Sequence, residues 1–140
     1  CVLFSAAALF AAEDGIYSWS TEIDEAADEA QNRDQLLFVY FAGSDWCPYC
    51  QRLTNEVLET ERFSSFMQEH FVPVLIDFPR QREQAESKRE ANAALARRLG
   101  IRGVPTILVM KPESREVIKK LGYNSGGPEY YISTLRSVMN

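Results

Sequence analysis

The chain contains one histidine and three cysteines in 140 residues. That scarcity argues against a metal centre, because a structural site normally takes four ligands and only Cys1 and His70 could join Cys47 and Cys50. Basic residues are also in deficit: 15 lysines and arginines stand against 20 aspartates and glutamates, for a formal net charge of −5. Nucleic acid and anionic membrane surfaces are held by fields of lysine and arginine, so general affinity for either is not expected. The apolar opening from Cys1 to Ala12 is too short to cross a bilayer alone. Internal repeats, low-complexity tracts and linkers are missing as well.

What remains is an ordinary globular composition, 46% hydrophobic and 25% charged, of a length suited to one domain with a real core. The segment "CVLFSAAALFAA" fits the apolar region of a secretory signal. We therefore expect residues 1–12 to be a signal-peptide remnant, with an uncleaved anchor or a lipid-modified Cys1 as alternatives, and residues 13–140 to be the folded domain. Charge is unevenly spread. Glu13 to Asp34 holds eight acidic residues against Arg33 alone, whereas Arg80 to Arg98 holds six basic residues against Glu83, Glu86 and Glu90. Each stretch reads most simply as a solvated helix face.

Apolar spacing predicts a first helix over "EIDEAADEAQNR", capped by Ser20 or Thr21. "QLLFVYFAG" and "VPVLIDF" read as buried strands, because both are continuous apolar runs rich in β-branched and aromatic residues. Helices are expected over Gln51 to Glu61, over "RFSSFMQEHF", and from Arg80 to Leu99 with Gly100 as its stop. "TILVM" and "EVIKKLG" form a hairpin around "KPES", and Gly126-Gly127-Pro128 opens a last helix. With a short strand near Ile16, this order predicts an α/β fold, a central mixed β-sheet flanked by helices on both faces.

The stretch "GSDWCPYCQRL" places Cys47 where a buried strand meets a helix, with Cys50 about one turn inside. Unpaired N–H groups and the helix dipole there favour an anionic sulfur. Two thiols at this spacing can exchange with a disulfide, the first attacking and the second resolving the mixed disulfide. A metal pair or a purely structural disulfide are the competing readings. His70, in "QEHFVP" near a helix end, reads as a capping or surface residue.

Three segments, "LLFVYFAGSDWCPYC", "VPVLIDF" and "LGIRGVPTILVMKPESREVIKKLG", together resemble the thioredoxin superfamily over residues 35–140. The resemblance implies a thioredoxin fold and a thioredoxin-like domain over 13–140. It also implies that Cys47 attacks, Cys50 resolves, Pro105 is a cis-proline facing them, and Val104 pairs with substrate backbone as an added strand. Trp46, Pro48 and Tyr49 would flank the substrate groove. No cofactor or metal is implied beyond the redox-active pair Cys47–Cys50. Two family features are absent: where thioredoxins carry a buried aspartate stands Val39 or Tyr40, and Pro73 stands near the usual lysine. Asp45, Asp77 or water remain as proton carriers for Cys50. The proline that follows the motif in the family is replaced near Asn55.

Pro48-Tyr49 is also similar to the dipeptide of glutaredoxins. The long segment after the second strand and the "GSDWC" approach are instead similar to exported bacterial thioredoxin-like proteins of the cell envelope. The expectation is therefore a monomeric periplasmic thiol–disulfide oxidoreductase that acts on protein disulfides and is supplied by a membrane electron donor. A disulfide oxidase or isomerase using the same site, and a client-binding module with little turnover, are its rivals.

Overall fold

A computed structural model describes residues 17–139. The expected signal remnant and the strand near Ile16 lie outside the described residues. Four strands form one sheet in the order β2-β1-β3-β4. They are β1 (Leu36–Ala42), β2 (Phe71–Asp77), β3 (Thr106–Met110) and β4 (Val117–Leu121). β1 runs parallel to β2 and antiparallel to β3, and β3 is antiparallel to β4, which makes the sheet mixed, as expected.

Alternation along β1 divides the core into two layers. Phe38, Tyr40 and Ala42 face one way and pack with Leu53, Phe63, Ile107 and Tyr131, in a cluster that also holds both cysteines. Leu37, Val39 and Phe41 face the other way, towards Ala26, Ala27, Ala30 and Leu95. The second layer is supplied by α1 (Ile23–Arg33) and α4 (Glu86–Arg98), the first by α2 (Pro48–Leu53), α3 (Glu61–His70) and α5 (Gly127–Arg136). His70 lies in the last turn of α3, its ring 4.9 Å from that of Phe66.

Pro73 inside β2 is tolerated because of the direction its missing N–H would take. Its carbonyl accepts from the Ser20 N–H at 3.0 Å, on the side away from β1, so no bond to β1 is lost. Ser20 thereby forms a single parallel bridge to Val74 on the outer edge of β2.

Three local expectations are corrected. The helix over Arg80 to Leu99 begins only at Glu86: Ala85 has an extended backbone, with ψ at 140°, and residues 80–82 before it instead turn their N–H groups onto the Asp45 carboxylate. The helix over Gln51 to Glu61 is broken into α2 and a wider π-helical turn at Thr54–Leu58, where the N–H of Glu59 reaches the carbonyl of Thr54 at 2.9 Å. Neither Ser20 nor Thr21 is the N-cap of α1. That position falls to Glu22, whose own N–H donates to the Ser20 hydroxyl at 3.1 Å.

Candidate active site

β1 ends at Ala42, and the chain turns through Gly43 and Asp45 into α2, with Pro48 in the first turn. Proline suits that position because its missing N–H would have no intrahelical partner. Gly43 is required for a steric reason: a Cβ there would lie 2.3 Å from the Trp46 ring. The indole closes over the glycine and donates from Nε1 to the Phe78 carbonyl at 2.6 Å.

Cys47 is the N-cap of α2, and its Sγ accepts the N–H of Cys50 at 3.2 Å. Such a bond strengthens when the sulfur is negatively charged. The Cys47 thiol also points at the carbonyl of Val104, 3.8 Å away, and the Val104–Pro105 bond is cis. Sequence segments 57 residues apart thus meet at one sulfur. Both cysteines are free thiols and both are buried, Cys47 at 4% exposure and Cys50 at 1%. Tyr49 between them is the opposite, at 53% exposure.

The Cys50 thiol is pushed well above its ordinary value, first by burial and then by its hydrogen bond with Cys47. At the place the sequence left between Val39 and Tyr40, it is Tyr40 that faces Cys50. Its hydroxyl donates to the Cys50 carbonyl at 3.3 Å, and burial, with Cys50 nearby, raises the phenol far beyond its usual range. A cavity of about 460 Å³ lies beside them, lined by Tyr17, Trp19, Tyr40, Cys50, Leu58 and Leu75 among others.

The two aspartates named as proton carriers are committed to holding loops. Asp45 accepts three backbone N–H groups, from Arg80 at 3.0 Å and from Gln81 and Arg82 at 2.9 Å, which keep its carboxyl below the usual range. Asp77, only 4% exposed, accepts from the Ser44 N–H at 3.0 Å, the Ser44 hydroxyl at 2.6 Å and the Arg82 guanidinium.

Three neighbours of the site escaped the sequence reading. Arg80 lies over the Trp46 ring at 3.5 Å. Tyr123 packs against Tyr49 with centroids 5.2 Å apart and ring planes tilted by 50°, and Arg52 lies over both rings. Tyr123 also donates to Glu56, which pairs with Arg52 at 3.0 Å. Only the i, i+4 spacing of Arg52 and Glu56 could have been found in the sequence. Among the described residues no group of three or more histidines, cysteines and carboxylates is placed to hold a metal ion.

Comparison with known proteins agrees with this geometry. Disulfide bond reductase DsbH of Chlamydia pneumoniae is 27% identical over 115 residues, covering 82% of this chain and 69% of the relative. Thioredoxin-related protein DsbJ of Chlamydia pneumoniae is 32% identical over 101 residues, 72% of this chain but only 29% of the relative's own length. A solved structure described as DsbH oxidoreductase superposes with a TM-score of 0.82 at 26% identity, covering 89% of this chain and 85% of that one. Residues 23–137 match the family described as Thioredoxin-like domain. With the dithiol at the start of α2 and a mixed sheet of the matching fold, the chain belongs to the thioredoxin-like family and is a thiol–disulfide oxidoreductase.

Proposed function

We propose that the chain is an exported reductase of protein disulfides in the cell envelope, working through Cys47 and Cys50. The observation that carries this reading is the placement of the Cys47 sulfur, held between the Cys50 N–H and the Val104 carbonyl. The name of the DsbH relative, a disulfide bond reductase, supports the direction.

The Cys47 thiolate attacks one sulfur of a client disulfide. A Cys47–client bond forms, the client S–S bond breaks, and the departing client sulfur takes a proton. Cys50 then loses its proton and attacks Cys47, which releases the second client thiolate and leaves a Cys47–Cys50 disulfide. The client gains two electrons; counted from the Cys47 thiolate, the protein gives up two electrons and the Cys50 proton, and the second client thiolate takes its proton from solvent. A dithiol donor at the membrane restores the reduced pair. Val104 offers its backbone edge to the client, with Trp46, Pro48, Tyr49 and Pro105 bordering the groove, and the protein acts as a monomer that requires no metal or further cofactor.

The test is the reduction potential of the pair in glutathione buffers, using the chain without residues 1–12. A value near or below about −270 mV, that of thioredoxin, is expected; one near about −120 mV would make the protein an oxidant. Cys50→Ser should accumulate mixed disulfides through Cys47. If a variant with both cysteines replaced by serine keeps full function, the protein is a binding module instead.

A further inference from the structure

The basic stretch that reads in the sequence as one solvated helix face is divided by the fold, and its first part is delivered to the dithiol. Arg80 lies over Trp46, the residue before Cys47. Arg102 stands two residues before Val104, whose carbonyl contacts the Cys47 sulfur, and it is exposed. Neither arginine has a carboxylate within ion-pair distance among the described residues, whereas Arg33, Arg52, Arg62, Arg82, Arg89 and Arg115 all do.

Three carboxylates close to the site already have partners, whereas Glu59, in the lining of the cavity beside Cys50, has no ion pair among the described residues. Asp45 is capped by three N–H groups, Asp77 is buried against Ser44 and Arg82, and Glu56 is shared by Tyr123 and Arg52. Arg97 and Arg98, in the last turn of α4, extend the unpaired positive charge from Arg102, although the helix dipole already accounts for their position. A protein with a formal net charge of −5 therefore places one guanidinium that has no ion-pair partner over Trp46, next to Cys47 in the chain, and a second on the exposed residue two positions before Val104. Arg80, its guanidinium carbon 3.5 Å over the indole, is held there by cation–π attraction and has no ion-pair partner of its own among the described residues.

We propose that the groove selects clients whose disulfide is flanked by acidic residues, with Arg80 and Arg102 reading the acidic flanks. This rests on the reductase reading of the same site. Charge complementarity of this kind acts mainly on the encounter rate and is screened by salt.

The test compares single-turnover oxidation of the reduced protein by two synthetic peptide disulfides that differ only in glutamate or lysine flanks. The glutamate peptide should react about tenfold faster at low ionic strength, and the ratio should shrink towards one at high ionic strength. Arg102→Gln and Arg80→Gln should each reduce the ratio, while Arg62→Gln, on the remote pair with Glu129, should leave it intact. Because Arg80→Gln could also loosen Trp46, the Arg102→Gln result and the salt dependence of the unaltered protein are read independently of it. Equal rates for the two peptides, or a preference that survives both substitutions, overturns the proposal while leaving the reductase reading standing. If neither peptide oxidises the protein, the reductase reading itself fails.

Discussion

At the scale of single residues, the two cysteines differ by environment rather than by chemistry. Cys47 caps α2 and faces the Val104 carbonyl, whereas Cys50 is shut in beneath it and its thiol is pushed up by burial. A thiol raised in this way is protonated at neutral pH, so the resolving attack is limited by the small thiolate fraction. The release of the second thiol from a preformed Cys47 mixed disulfide should therefore accelerate about tenfold per pH unit through the neutral range, without a plateau there. Stopped-flow measurement with a chromogenic thiol on Cys47 would show this. A rate that is already level at neutral pH would mean that Cys50 is not held up by burial.

At the scale of elements, the turn from β1 into α2 depends on Gly43 leaving room for the Trp46 ring. Gly43→Ala must displace the indole or the backbone, because ring and new methyl carbon cannot stand 2.3 Å apart. We expect a loss of about 1–3 kcal/mol in urea unfolding, with a red shift of tryptophan emission as the Trp46–Phe78 hydrogen bond opens. An unchanged spectrum and midpoint would show that the turn relaxes freely. The same scale governs the segment before α4: Asp45 holds the 80–82 N–H groups beside the site, where Arg80 lies over Trp46.

At the scale of the whole molecule, buried acids link stability to alkaline pH. Burial raises the phenols of Tyr17, Tyr40 and Tyr131 and the thiol of Cys50 above their unfolded values. Between each unfolded and folded value the unfolded chain has lost a proton that the folded chain retains, so stability falls as pH rises. The contribution is complete below the unfolded values, about 8.5 for cysteine and about 10 for tyrosine, and declines above them. Thermal unfolding should therefore show a Tm that drops steeply above about pH 9, and Tyr17→Phe should lessen the slope. A flat Tm through that range would mean that these groups titrate as readily folded as unfolded.

The strands, the hairpin, the last helix and the placement of Cys47 at a helix start were all legible in the sequence, because each depends on local periodicity and turn chemistry. The cis bond before Pro105 was legible only through family resemblance, since its surroundings come from distant segments. Tertiary structure alone decided that Tyr40 rather than Val39 faces Cys50, because the parity of β1 is set by what packs on each side of the sheet. It also decided that Asp45 and Asp77 hold loops and that an arginine 34 residues away stacks on Trp46. Side-chain partners so far apart in the chain are chosen by three-dimensional proximity and burial, for which local sequence carries no signal.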